Sequence, residues 1–253
     1  MIYNIIGDIH GRTCWKYLVQ EEAINVFVGD YFSPYHEISW EEQKQNFLDI
    51  VNYKTTHPQT ILLIGNHDED HWHLMRSGCC RHDYEHDDEI RQMFEEFADY
   101  FQVAYSIENK VLVTHAGVSY VWYDRYKNRV SSTQDINSND PDKIASVINN
   151  LWKEGIYEAF DFAPNATGDD HYGNSQTHGP MWIRTKALEA SNIFSSTSYV
   201  QVFGHTISSE IHLLGGARNL LIMVDCLERK ADSLIIDTIT NTIKTLNEYK
   251  HGQ

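Results

Sequence analysis

A chain of 253 residues has room for one well-cored domain or two small ones, and 42% apolar with 22% charged residues is an ordinary globular composition. A formal net charge of −16, from 36 acidic against 20 basic residues, argues against an extended nucleic-acid footprint. No apolar run approaches the ~18 residues of a membrane span, and the four cysteines (Cys14, Cys79, Cys80, Cys226) lack C-x-x-C spacing, which fits a reducing compartment without disulfides.

Strand and helix patterns alternate through the first half. An apolar strand at 2–6 leads to a helix near 13–22, a strand at 24–28 to a helix near 39–55, and a strand at 60–64 to helical segments near 70–77 and 87–99. Ser39 followed by Trp40-Glu41-Glu42 carries an N-cap residue and acids in the first turn. This order predicts a parallel α/β sheet. Residues 103–107 and 111–114 flank Glu108-Asn109-Lys110 as a hairpin. Residues 124–198 are polar, and Ile144–Trp152 is the clearest helix there. The stretch reads as an insertion or lid over a site, within a single domain spanning 1–253. Strands return at 199–203, 211–214, 219–225, 233–239 and 242–246, with a tight turn at Asn241. The first strand begins at residue 2, so no leader is expected and the cytoplasm is the expected location.

Chemistry-bearing residues collect where strands end. Gly7-Asp8-Ile9-His10-Gly11 follows the first strand, Gly29-Asp30 the second and Gly65-Asn66-His67-Asp68 the third. Thr114-His115-Ala116-Gly117 and Gly204-His205-Thr206 follow two later ones. In α/β sheets, sites form at such ends, and carboxylate, imidazole and amide groups together suit hard to borderline divalent metals. Asp8 and His10 alternate by two and point to one side of an extended segment, where they can share an ion. The Asp30 carboxylate can bridge two ions about 3.5–4 Å apart, with Asn66, His115 and His205 supplying the second. Such a pair of ions attracts phosphate and lowers the pKa of a shared water. His67, adjacent to Asn66, would point the other way on an extended chain. That suits a general acid protonating a leaving alkoxide, the alternative being a histidine that orients its loop. His71 and His73, in the cluster that follows, could be extra ligands but read better as supporting or solvent-facing helix residues.

The series G-D-x-H-G, G-D, G-N-H-D, H-A-G, G-H-T resembles the calcineurin-like metallophosphoesterase superfamily, and most the branch of Ser/Thr protein phosphatases and symmetric dinucleoside tetraphosphatases. The motifs run in the expected order from residue 7 to 206, and the closing segments Asn219–Asp225 and Ser233–Asp237 are similar too. The resemblance implies a two-layer β-sandwich flanked by helices and two divalent metal ions (Mn, Fe or Zn). Asp8, His10 and Asp30 would hold one ion; Asp30, Asn66, His115 and His205 would hold the other. One departure stands out. Where that branch has an Asp supporting the acid histidine and a phosphate-binding Arg, this chain has Ser33 and Pro34. Pro can donate no hydrogen bond, so Asp68 or Asp70 is the alternative partner for His67. Trp182-Ile183-Arg184 is similar to a segment that carries a phosphate-binding arginine in bacterial members. Arg184 and, less directly, Arg12 are thus candidate phosphate ligands, with Asn66 beside them.

The expected activity is hydrolysis of phosphate monoesters, on a phosphoprotein or a small ester, with His67 and Asp68 as catalytic residues. A dinucleoside polyphosphate hydrolase or phosphodiesterase is the nearest alternative. The aromatic residues of 124–198 (Trp122 and Tyr123 at its edge, then Tyr126, Trp152, Tyr157 and Tyr172) could stack a base. A non-catalytic phosphate-binding protein is the alternative of another class.

Overall fold

The computed structural model describes residues 1–73, 81–131, 140–162, 172–194, 199–215 and 219–251. In chain order the elements begin β1 (Ile2–Ile6), α1 (Trp15–Leu18), β2 (Ile24–Phe27), α2 (Trp40–Thr56), β3 (Ile61–Leu63), α3 (Asn66–Trp72), α4 (Asp87–Glu96) and β4 (Phe101–Gln102). There follow β5 (Ala104–Ile107), β6 (Val111–Thr114), α5 (Tyr120–Tyr126), α6 (Pro141–Lys153), α7 (Thr185–Ala190) and β7 (Tyr199–Phe203). The chain closes with β8 (His212–Leu214), β9 (Asn219–Met223), β10 (Leu234–Asp237), β11 (Thr242–Thr245) and α8 (Leu246–His251). Two mixed sheets with flanking helices result. They fall in two compact units: Met1–Gln102 with Ile207–Ile211 and Val224–Gln253, and Val103–Thr206 with His212–Met223. Among the described residues no helix is long and apolar enough to cross a membrane.

The first unit holds a six-stranded sheet in the order β11-β10-β1-β2-β3-β4. β1 to β4 are parallel, as the alternating pattern predicts, while β10 runs antiparallel against β1. Ile5, Ile6, Val26, Phe27, Leu62 and Leu63 are fully buried, the continuous apolar run of a sheet covered on both faces. The apolar pattern hides one polar pair. Asn4 and Asn25 face each other across β1 and β2, and the Asn4 amide donates to Asn25 Oδ1 at 2.8 Å and to the Leu18 carbonyl at 2.9 Å. The Asn4 NH2 is thus satisfied, while its Oδ1 is buried without a hydrogen-bond partner among the described residues.

α2 carries the expected cap: Ser39 accepts from the Glu42 amide while Glu42 reaches back to Ser39. α1 is shorter than 13–22, because the chain turns extended at Val19. α3 begins four residues before the expected start at 70, directly after Gly65. The Asp68 carboxylate accepts from the Gly65 amide at 2.9 Å and so closes the first turn. The end of the expected 70–77 segment lies outside the described residues, as do Cys79 and Cys80. α8 replaces the end of the last predicted strand. Its signal is Thr245 with Glu248, in which Glu248 accepts from the Thr245 amide and Thr245 from the Glu248 amide.

The second unit holds a five-stranded sheet ordered β5-β6-β7-β9-β8, with β6, β7 and β9 parallel. Glu108 and Asn109 turn the β5–β6 hairpin with positive φ of 47° and 53°. α6 is capped by Asp140 and starts on Pro141. It buries Ile144, Val147, Ile148 and Leu151, and its Asn149 accepts the amides of Val103 and Ala104 at the head of β5. On this unit's core, α7 packs Ala187 and Leu188 with Ile183, Phe203 and Leu221. α5 and α7, both short, were not legible as helices. Ser119 caps α5 and lets Trp122 and Tyr123 bury completely.

Candidate metal centre

In the first unit, β1, β2 and β3 lie side by side and parallel, so the loops after their C-terminal ends meet. Ile9, His10 and Gly11 donate their amides to Gly29, Asp30 and Tyr31 and join the first two loops. The third loop joins through close backbone approach: a Cβ on Gly65 would lie 2.1 Å from Asp30 Oδ1 and 2.7 Å from the Asp30 nitrogen, so only glycine fits. His10 and Asp30 both have left-handed backbone, at φ 44° and 54°. Such residues cost about 1–3 kcal/mol each and mark functional sites when the surroundings enforce them.

His10 Nδ1 lies 2.9 Å from the Phe32 carbonyl, so it must be the N–H, and Nε2 carries the lone pair, 3.5 Å from Asp30 Oδ2. A ring nitrogen fixed on a backbone carbonyl is the usual arrangement of a metal-binding histidine. The His67 ring stands edge-on to His10 at 5.1 Å, and its Nδ1 faces the Arg81 carbonyl at 3.2 Å. One ligand atom from each of His10, Asp30 and His67 lies within 4.8 Å of the others. The extended chain expected at Asn66-His67 is instead the first turn of α3. The two side chains therefore diverge as helix neighbours, and His67 still reaches the His10–Asp30 group. Asp8 and Asn66 are both buried at their strand ends.

Asp68 does something the sequence did not suggest. Its Oδ2 accepts the amides of Asp30 at 2.7 Å and Gly65 at 2.9 Å, and its Oδ1 accepts that of Tyr31 at 2.8 Å. One carboxylate thus ties the second loop to the third. Asp70, the other expected partner for His67, meets His82 Nδ1 at 2.6 Å.

Burial raises the Asp30 carboxyl well above its ordinary range, and the neighbouring Asp68 and Asp225 charges push it further. Asp68 is raised to about 7, chiefly by burial, against the pull of its three amide bonds. Buried anions gathered around an imidazole lone pair are what a divalent cation would neutralise, so the residues present fit one.

Two arginines were singled out from the sequence. Arg12 donates to the Asp8 and Ile9 carbonyls at 3.1 and 3.3 Å and pairs with Glu228, bracing the first loop. Arg184 belongs to the second unit. It donates to the His205 carbonyl at 2.8 Å and, through Nε, to that of Tyr172 at 3.2 Å. A third was missed. Arg81 lies over the Tyr35 ring, 3.6 Å from its centre, donates to the Ser33 carbonyl, and lowers the Asp30 carboxyl by its charge. It reaches the departure at Ser33-Pro34 from a remote part of the chain, so no local pattern marks it. Asp225, buried near Asp30, was likewise not singled out.

In the second unit, β6 and β7 are parallel neighbours and deliver His115 and His205 together, with ring centres 5.2 Å apart. The Gly204 amide donates to the His115 carbonyl at 2.7 Å. His205 has φ 64°, and its Nε2 faces the Trp182 carbonyl at 3.1 Å, which leaves Nδ1 as the lone-pair nitrogen.

A family model described as calcineurin-like phosphoesterase matches residues 3–209. Among solved structures, the chain is similar to a cold-active protein-tyrosine phosphatase of the psychrophile Shewanella sp., at 15% identity and TM-score 0.57, over 97% of this chain and 80% of that one. It is also similar to a Saccharomyces cerevisiae protein serine/threonine phosphatase described as similar to human phosphatase PP5, at 14% identity and TM-score 0.52, over 97% and 79%. At these identities the likeness is one of fold. No curated protein matches the sequence.

Proposed function

The chain belongs to the calcineurin-like phosphoesterase family and is a metal-dependent phosphoesterase, and from that premise we propose that it hydrolyses phosphate monoesters at a dinuclear centre. The observation that carries the reading is the His10–Asp30 pair: an imidazole whose lone pair is aimed by the Phe32 carbonyl at a buried carboxylate. Asp8, His10 and Asp30 would hold one ion, and Asp30, Asn66, His115 and His205 the other, drawn from manganese, iron or zinc. Such ions supply positive charge for the phosphate and lower the pKa of a water nucleophile.

The remaining steps belong to side chains. His67 has Nδ1–H directed at the Arg81 carbonyl, so Nε2 is the atom that carries the transferable proton to the leaving oxygen. Asp68 acts as a positioning residue, holding Asp30 and Tyr31 through their amides. Arg81 supplies the guanidinium that the sequence lacks at Pro34. Arg184 keeps the His205 loop in place and presents its remaining N–H groups to phosphate. Of the aromatic residues that could stack a base, Trp122 and Tyr123 are buried but Tyr172 is 74% exposed, so the assay below decides between a phosphoprotein or small ester and a dinucleotide. The free thiols of Cys14 and Cys226 fit a reducing, cytoplasmic setting.

The test is turnover by chelator-stripped protein with manganese added back. The substrates are p-nitrophenyl phosphate, a phosphopeptide, diadenosine tetraphosphate and a cyclic nucleotide. Metal-dependent release from the monoesters is expected. Hydrolysis of the tetraphosphate alone would favour the dinucleotide reading, and phosphate binding with no turnover the non-catalytic one.

A further inference from the structure

A second group of metal-ligand side chains in the first unit lies outside the Asp8, His10, Asp30 and Asn66 set. It joins the end of α3 to the start of α4. His71 Nδ1 lies 2.8 Å from Asp87 Oδ1, and His82 Nε2 lies 3.0 Å from the same oxygen. The two rings stack at 4.2 Å. One ligand atom from each of the three residues lies within 4.8 Å of the others. Side-chain exposures are 1% for His71, 3% for His82 and 8% for Asp87.

The protons decide what this group can do. His82 Nδ1 meets Asp70 Oδ2 at 2.6 Å, so Nδ1 carries the hydrogen. The neutral ring then turns the Nε2 lone pair on an Asp87 oxygen at 3.0 Å, acceptor against acceptor. The contact is not aligned as a hydrogen bond. His71 Nε2 is buried with no hydrogen-bond partner among the described residues. A cation placed among His71 Nδ1, His82 Nε2 and the Asp87 carboxylate removes the clash and uses all three, with the His71 proton moved to Nε2. Two nitrogens and one oxygen form a borderline donor set of the kind zinc takes, and a carboxylate behind a ligating histidine is its usual support. Tetrahedral zinc sets its ligand atoms about 3.3 Å apart. The observed contacts would need to open by only a few tenths of an ångström.

We propose that His71, His82 and Asp87 bind one divalent transition-metal ion of the zinc class, with Asp70 holding the His82 ring in its ligating tautomer. The ion would clamp α4 to α3, the helix whose first turn carries Asn66, His67 and Asp68. Its role is to position that turn; it takes no part in the reaction.

The experiment loads chelator-stripped full-length protein with zinc, removes excess by gel filtration, and counts zinc per chain by mass spectrometry. His82→Gln is expected to hold one equivalent less than wild type. Asp30→Asn, aimed at the other centre, should keep the ion that His82→Gln loses, so zinc should still raise its melting midpoint. The double variant should show no such rise. Asp70→Asn should weaken this one ion by about 10- to 100-fold. Equal zinc content in wild type and a folded His82→Gln, by circular dichroism, would overturn the proposal. Should His82→Gln not fold, Asp70→Asn decides, and wild-type zinc affinity there overturns it equally.

Discussion

Replacing Asp68 by Asn tests whether one carboxylate holds the second and third loops together. The isosteric amide oxygen can keep the Asp30 and Gly65 amides, but its NH2 then faces the Tyr31 amide. A buried donor left without an acceptor costs about 1–3 kcal/mol. Removal of a buried ionisable group works in the opposite direction, and its sign depends on pH. Asp68 is raised from its ordinary 3.8 to about 7, so the folded state binds its proton more tightly than the unfolded chain does. Its contribution is therefore fully present below about pH 4 and is lost as pH rises through about 7. Urea unfolding of metal-free protein should find Asp68→Asn less stable than wild type at pH 5, with the gap closing by pH 8. With manganese restored, kcat on p-nitrophenyl phosphate should fall on the order of 10²-fold, because the Asp30 loop loses its anchor at the Tyr31 amide, one residue away. A gap that stays constant or widens with pH, or a wild-type kcat, would refute the assignment of Asp68 as the tie between loops.

His67→Asn should leave metal content unchanged and lower kcat by roughly 10²–10⁴. The loss should shrink for p-nitrophenyl phosphate against an alkyl phosphate, since nitrophenolate leaves unprotonated; equal losses would make His67 structural. Arg81→Ala and Arg184→Ala should each lower kcat/KM by on the order of 2–4 kcal/mol, with Lys recovering part. Unchanged kinetics in either would take that guanidinium off the phosphate. Gly65→Ala places a Cβ 2.1 Å from Asp30 Oδ1, and calorimetry with metal analysis should find about 3 kcal/mol or more of lost stability and weaker metal binding.

What could be read in the sequence was whatever is encoded locally. β1, β2 and β3 are mainly apolar runs followed by glycine and a polar residue, so both the parallel sheet and Asp8, Asp30 and Asn66 were visible at its edge. The start of α3 was not, because Asn66-His67-Asp68 has no apolar periodicity and the turn is closed by a side chain bonding back to Gly65. α8 had a legible cap in Thr245 and Glu248, but the alternation of Thr242-Ile243-Lys244 masked it. Arg81 and the three-amide grip of Asp68 depend on chain segments far apart in sequence, which no local spacing reports. The Asn4–Asn25 pair was illegible for the same reason: each residue interrupts an apolar run, and only their register explains why.

Strand order in the first sheet also sets a schedule for synthesis. β1 leaves the ribosome long before its antiparallel neighbour β10, which begins only at Leu234. At roughly 5–20 residues per second, one long edge of the nascent sheet waits some tens of seconds with its N–H and C=O groups unpaired. During that interval β1 can pair only with β2, on its other side. A chain stalled or cut before Leu234 would expose an apolar strand edge of the kind that chaperones shield and aggregates recruit.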